Sequence, residues 1–430
     1  MKNFVRALIA ISIILFASQS AFSQPTVEVY ATGFVNPIGI EIDAVGNLWV
    51  AEQGTGSGNT SKISVVTPNG QVYPFLIDLP SSAPSFEPIG AQDVFIDIDG
   101  KILIAQGAHT GGDTLTEKIL VVNPAGWNPG DPALNRSSIE AKFTTGAMFS
   151  DTNPYKIEVG PDTDWFIVDA GGNAIVRRKR ITGEINLFSS FSPIGQSEAV
   201  PTSLVYTGTN FYVTILTGLP IPIGAAKVYD MDLSGSKTIY QDGLTALVDI
   251  AINPIDDAIY AIQHGEMGPP WINSKGRLFR IQNGVIDTLI SEMPRPAGMV
   301  FAPNGDLFIT SLQDDNVLKI SNLPVGVEDE NNFTPSGFTL EQNYPNPFNP
   351  STTIRYSIPT VIASETKQSQ FVSLKVYDVL GNEVATLVDE EKPAGSYEVK
   401  FDAAGLSSGI YFYKLRAGSL VETKKMILLR

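Results

Sequence analysis

The sequence predicts an all-β protein, a six-bladed β-propeller followed by a small Ig-like β-sandwich. Three observations carry this. A repeat of strand pairs runs through residues 24–323, the connections have tight-turn chemistry, and the composition changes at Phe338. Gly and Pro number 38 and 29 while charged residues are only 17% of the 430, a balance that suits turn-rich β structure with a large core.

Each repeat begins with Pro or a small apolar residue. A short apolar strand, a tight turn, a second apolar strand, a polar loop and two further strands follow. Copies start near Pro37 (PIGIEIDAVGNLWVAEQG), Pro88, Pro154 (PYKIEVGPDTDWFIVDAGGN), Pro201, Val248 and Pro296 (PAGMVFAPNGDLFITSLQDDN). This spacing, nearly constant except across the second copy, is the size of a four-stranded blade. The first two strands of each copy are apolar at almost every position, as inner strands covered on both faces must be. Gly46-Asn47, Asp99-Gly100 and Asn304-Gly305 accept the backbone conformations that tight hairpins require.

The last copy ends after NVLKISNLP with three strands, and VEVYATGF at Val27–Phe34 has no partner at the other end. Adding it to the last blade closes the ring and removes an open edge. A seventh blade would have to be Trp127–Phe149. That stretch lacks paired strand runs and reads as an insertion. Aromatic residues recur in the second strands, as Trp49, Trp165, Phe211, Tyr260 and Phe308, and their repetition predicts packing between blades.

Lys2 and Arg6 precede an apolar run ending at Ala17, and Ala21-Phe22-Ser23 places small residues before a cut between Ser23 and Gln24. Residues 1–23 therefore read as a secretory signal. The run is short for a membrane span, and no later stretch is long enough, so no transmembrane segment is expected after cleavage. Residues 24–325 form the propeller. Residues 326–337 (VEDENNFTPSG from Val327) read as a linker. The net charge is −16, and residues 24–337 alone carry −18. Nucleic acid is excluded as a partner on that ground. With no cysteine and two histidines, thiol chemistry and cysteine zinc sites are also excluded.

From Phe338 onward, strand-like alternation between Gly, Asn and Pro turns predicts a small antiparallel sandwich. The motifs YPNPFNP (Tyr344–Pro350), VYDVLGNEV (Val376–Val384), GIYFYKL with Gly409, Tyr411 and Tyr413, and the basic Lys424-Lys425-Met426 end closely resemble the type A C-terminal sorting domain of the type IX secretion system. The resemblance covers residues 338–430. It implies recognition by that machinery, passage through the periplasm and outer membrane, removal of the domain, and an extracellular or cell-surface destination. Val361–Gln370 departs from the pattern and reads as an inserted surface loop, at small entropic cost.

Phe166–Arg178 (FIVDAGGNAIVRR) resembles an NHL-type repeat. Asn36–Gly58 and Pro201–Gly235, with LTGLPIPIGAAKV, resemble the ScyD/ScyE family of exported propellers. That resemblance implies fold and export more than chemistry.

Propellers gather inner-strand side chains around a central channel. Asp93, Lys156, Ser203 and Asp249 stand near inner-strand starts, and Glu52, Gln106, Asp169, His264 and Ser311 at the ends of second strands. Asp93 and Asp249 are candidate ligands for Ca²⁺ or Mg²⁺, which favour oxygen donors. With His264 they are also the candidate groups of a metal-assisted lactonase or esterase. Glu52, Gln106, Asp169, Lys156 and Trp271 are candidate ligand-binding residues. The alternative for all of them is hydrogen bonding that holds blade turns. His109 and His264 fall in opposite blades and do not suit one shared site. GLSSG (Gly405–Gly409) lacks a strand–turn–helix context and a histidine, and GTGSGN (Gly54–Asn59) lacks a phosphate-binding helix and lysine. Arg177-Arg178-Lys179-Arg180 is the one basic cluster, with alternate residues on opposite faces and a solvated strand as its simplest reading. The function expected is binding of a protein, glycan or small molecule outside the cell, with metal-dependent hydrolysis as the alternative.

Overall fold

The computed structural model describes residues 25–83, 87–107, 112–219, 221–266, 275–282, 284–324, 338–358, 370–392, 395–418 and 420–429. The signal segment with Ser23 and Gln24, the linker, the inserted loop before Gln370, His109 and Trp271 lie outside them. Contacts divide the chain into two units, Met1–Gly326 and Val327–Arg430.

The first unit is a ring of six four-stranded antiparallel sheets. Its inner strands are Pro37–Ile42, Ala91–Ile96, Pro154–Val159, Ala199–Tyr206, Leu247–Ile252 and Pro296–Phe301. Each packs against the next, and the sixth returns to the first, so the ring is closed. The closing strand is Thr26–Thr32, which pairs antiparallel with Asn316–Ser321 and completes blade 6. The unpaired N-terminal strand and the three-strand last repeat thus fit together as the sequence implied.

Six hydrophobic clusters sit in the six gaps between neighbouring blades. One joins blades 1 and 2 through Trp49, Ile63, Phe75, Val94 and Ile104. Another joins blades 6 and 1 through Phe308, Val317, Ile40 and Val50. At about 1.5–3 kcal/mol for each large side chain buried, these seams dominate cohesion. The recurring aromatics lie in them. Trp49 meets Phe75 edge-on at 4.8 Å, Phe166 meets Phe211 at 4.6 Å, and Tyr260 meets Phe301 at 5.0 Å.

One expectation is corrected. Trp127–Phe149 is not simply an insertion, because Ile139–Phe143 pairs with Lys118–Val122 as the outer strand of blade 2. This strand is half-exposed and needs little apolar sequence, so it escaped a search for paired apolar runs. The excursion before it is stitched to blade 1, where Leu134 N–H donates to Phe75 O at 2.7 Å and Ile77 N–H to Leu134 O at 3.0 Å.

The second unit is a sandwich. One sheet contains Thr339–Leu340, Ser351–Ile358 and Gly395–Asp402. The other is ordered Glu383–Lys392, Gln370–Tyr377, Gly409–Ala417 and Leu420–Leu428. Both contribute to one core that includes Ile354, Tyr356, Leu374, Tyr413 and Met426. Gly409–Ala417 alternates strictly. Tyr411, Tyr413 and Leu415 point inward while Phe412, Lys414 and Arg416 point out. Tyr413 Oη donates to Glu341 O at 2.7 Å and accepts from Asn343 N–H at 2.8 Å, tying the motif strand to the residues just before the YPNPFNP segment. Lys424 and Lys425 lie on the neighbouring strand, with Lys425 exposed.

Candidate functional site

Every inner strand carries a register irregularity near its start. It falls between Pro37 and Ile40, Ala91 and Asp93, Pro154 and Lys156, Pro201 and Ser203, Leu247 and Asp249, and Pro296 and Met299. A bulge re-aims the side chain beside it. The six residues so placed are Gly39, Asp93, Lys156, Ser203, Asp249 and Gly298, one from each blade. They form a ring with three charged members, Asp93, Lys156 and Asp249.

Asp249 of blade 5 is the hub. Its Oδ1 accepts from Ser203 Oγ at 2.5 Å and Ile250 N–H at 2.9 Å. Its Oδ2 accepts from Met299 N–H at 2.8 Å and lies 3.7 Å from Lys156 Nζ. Asp93 of blade 2 lies 3.3 Å from the same ammonium through Oδ1, and its Oδ2 accepts from Ile157 N–H at 3.0 Å. The glycines leave room for this network. A Cβ at Gly39 would come within 2.6 Å of Asp93 Cα and 2.8 Å of its Oδ1. Burial raises the Asp93 carboxyl to about 6 against the opposing pull of Lys156. Burial works against the Lys156 ammonium, but Asp249, Asp93 and Glu41 outweigh it and hold its pKa above the usual lysine value.

Two positions further along the strands, the same channel face carries Glu41 of blade 1 and Glu158 of blade 3, as period-two alternation requires. Burial raises Glu41 to about 7. Burial, with Glu41 adding to it, raises Glu158 to about 8. Near the other end, Arg295 pairs with Glu87, which comes from the connection between blades 1 and 2. Arg295 Nε–H also donates to His264 Nε2 at 3.3 Å, and His264 Nδ1 lies 3.0 Å from Pro296 O. Burial first and Arg295 second lower His264 to about 4, so its ring is neutral at pH 7.

Asp93, Lys156 and Asp249 are thus brought together, but as an ion-paired plug. This donor set does not fit Ca²⁺ or Mg²⁺. The Lys156 ammonium stands between the two carboxylates, and the remaining oxygens already accept from Ser203 and backbone N–H groups. Among the described residues no three Asp, Glu or His side chains are grouped to hold a metal. His264 belongs to the separate Arg295–Glu87 cluster.

The strand-end candidates are buried clamps. Glu52, Gln106, Asp169 and Ser311 occupy equivalent positions, each at most 2% exposed; in blade 5 that position is held by Gln263, and the expected residue, His264, lies one further on. Glu52 accepts from Val35 N–H at 2.7 Å and Ser64 Oγ at 2.5 Å. Gln106 Nε2 donates to Pro80 O at 3.1 Å, and Ser311 Oγ to Pro294 O at 2.5 Å. Asp169 accepts from Thr145 and Thr152 hydroxyls at 2.5 Å and from Asn153 and Gly172 N–H at 2.9 Å. Each of these four holds local chain, and at Glu52, Gln106 and Ser311 this is the chain entering or leaving the blade. The turn-holding alternative describes their geometry, and none of the three ligand candidates faces solvent.

The sequence reading missed a cleft of about 430 Å³ between blades 1 and 2. Trp49, Trp127, Asp43, Asn47, Asn123 and Asn128 help line it. Trp49 is nearly buried, whereas Trp127 is half-buried, 5.0 Å from Phe75 and 6.3 Å from Trp49. Its indole N–H donates to Pro132 O at 3.2 Å. The signal was available in the Trp-Asn-Pro-Gly run after blade 2's third strand, an aromatic in a polar loop.

Residues 342–429 match the family model described as the secretion system C-terminal sorting domain. The chain therefore carries a type IX sorting tail, which implies export to the cell surface or extracellular space. No helix among the described residues is long and apolar enough to cross a membrane. No curated protein matches the sequence. Among solved structures, a streptogramin B lyase is 14% identical, with 70% of this chain and 99% of that chain covered and a TM-score of 0.45. The PQQ-bound aldose sugar dehydrogenase of Streptomyces coelicolor is 12% identical, covering 69% and 98%, with a TM-score of 0.45. The WD40 β-propeller domain of Doa1 is 12% identical, covering 69% and 97%, with a TM-score of 0.41.

Proposed function

We propose that this chain is an exported binding protein whose propeller presents glycan-binding clefts, not a metal-dependent hydrolase. In this reading residues 1–23 are cleaved before Gln24, residues 24–325 are the delivered propeller, and residues 338–430 are removed after recognition by the type IX machinery. The resemblance to exported ScyD/ScyE propellers agrees with that destination.

The observation that carries the binding reading is the cleft between blades 1 and 2. An indole face beside carboxylate and carboxamide groups offers an apolar platform with a few oriented polar groups, the usual composition of a small-ligand site. Such a surface suits a sugar ring, whose C–H face packs on Trp127 while its hydroxyls meet Asn47, Asn123 and Asn128. The channel supports the same view. Its Asp93 and Asp249 carboxylates are engaged by Lys156, Ser203 and backbone donors, which speaks against a metal-assisted site built on them. Binding of the full chain to a panel of immobilised glycans, followed by calorimetry on wild type and Trp127→Ala, tests the reading. Loss of at least tenfold in affinity in the variant is expected. No glycan bound, or unchanged affinity in Trp127→Ala, refutes it.

A further inference from the structure

The basic run at Arg177–Arg180 does not act as a uniform solvated strand. Arg177 pairs with Asp164 at 2.8 Å and Asp162 at 3.1 Å, and Lys179 pairs with Glu184 at 2.9 Å. Arg180 is held by Asp97, which also accepts from Trp165 Nε1 at 3.2 Å. The Arg178 side chain has no hydrogen bond or ion pair among the described residues, and its Nε is buried without an acceptor.

Arg178 instead lies against two stacked rings. Its guanidinium carbon is 4.3 Å from the Phe143 ring and 4.7 Å from the Trp165 ring, and those rings are 5.6 Å apart with only 10° between their planes. Burial and the like charge of Arg180 both lower its pKa, and no carboxylate acts on it in the opposite sense. A pocket of about 270 Å³ opens here between blades 2 and 3, lined in part by Asp99, Lys101, Phe143, Trp165, Arg178 and Arg180. Lys101 lies 3.2 Å from Glu140 at the rim, and Asp99 is the one acid on the wall.

We propose that this pocket is an oxyanion-binding site in which Arg178 is the anchoring residue and the ligand carries a sulfate or carboxylate group. A guanidinium presents several donors in a planar fork that matches either group. Aromatic packing fixes that fork, so little side-chain freedom is lost on binding. The ligand would supply the acceptor that the terminal guanidinium N–H groups lack, while the buried Nε stays against the rings. This inference rests on Arg178 alone and stands whether or not the Trp127 cleft takes a glycan.

Calorimetric titration of the full chain with sodium sulfate and, separately, sodium glucuronate, at ionic strength held constant with sodium chloride, tests it. Saturable binding at one site per chain is expected, weakened at least tenfold in Arg178→Gln and unchanged in Lys179→Gln, which alters a paired, exposed lysine of the same run. Arg178→Lys keeps the charge without the planar fork and is also expected to lose tenfold, which preserves the test if the Gln variant does not fold. Tighter binding of glucuronate assigns an acidic sugar, and tighter binding of sulfate assigns an inorganic or sulfated ligand. Absence of saturable binding for both anions, or equal affinity in the Arg178 variants, overturns the proposal.

Discussion

Replacing Lys156 by Met removes the one cation from the channel ring and leaves Asp93 and Asp249 facing the same space. With separations of 3.3 and 3.7 Å, the two attractions are each about 5 kcal/mol at an effective dielectric constant near 20. Desolvation of the three charges cancels much of that, and breaking such a buried group leaves a net loss of about 3–5 kcal/mol. The loss depends on pH. Asp93, already raised to about 6, takes up a proton more easily once Lys156 is gone, so the penalty falls towards about 1–2 kcal/mol at pH 5. All four tryptophans lie in the propeller sequence, so urea unfolding followed by tryptophan fluorescence reports on this unit within the full chain. A loss below about 1 kcal/mol at pH 8, or one that is the same at pH 5 and pH 8, would refute the ion-paired plug.

Two further perturbations follow from the same physics. Glu41 and Glu158 have folded-state pKa values raised from 4.5 to about 7 and about 8, so the stability they allow is full below pH 4.5 and is lost as pH rises through 7 and 8. The double variant Glu41→Gln/Glu158→Gln is expected to be about 1–3 kcal/mol more stable than wild type at pH 8.5 and equal to it at pH 4, measured by urea unfolding; a uniform effect across pH contradicts the assignment. Asp169→Ala strands two hydroxyls and two backbone N–H groups and is expected to destabilise the propeller by about 2–4 kcal/mol, while glycan affinity stays within twofold. A loss of affinity without loss of stability would return Asp169 to the ligand-binding residues.

Much of the fold was legible because propeller blades repeat. Apolar inner strands, Gly-containing turns and the orphan Val27–Phe34 segment are local signals, and ring closure follows from counting strands. Ile139–Phe143 was missed because an outer strand is paired on one side only and can be half-polar. The candidate site was less legible. Asp93, Lys156 and Asp249 could be placed in the channel, but sequence separation does not reveal that a lysine of blade 3 stands between carboxylates of blades 2 and 5. Glu41 and Glu158 had a usable signal, since each lies two residues beyond a ring position in an inner strand and so shares its face. Glu52, Gln106 and Asp169 sit where loops begin, yet their side chains turn inward to hold backbone. Arg178 differs from its three basic neighbours only through the absence of an acid partner, a property of packing that the run itself does not contain.

The central claim is that the channel is held by Lys156 and not by a metal ion. Titrating Ca²⁺ and Mg²⁺ into the chelator-treated full chain by calorimetry, beside Asp249→Asn, tests it most directly. The account predicts no stoichiometric binding in either protein and unchanged unfolding after chelation. One equivalent of tightly bound ion in the wild type, lost in Asp249→Asn, would contradict it and restore the hydrolase reading.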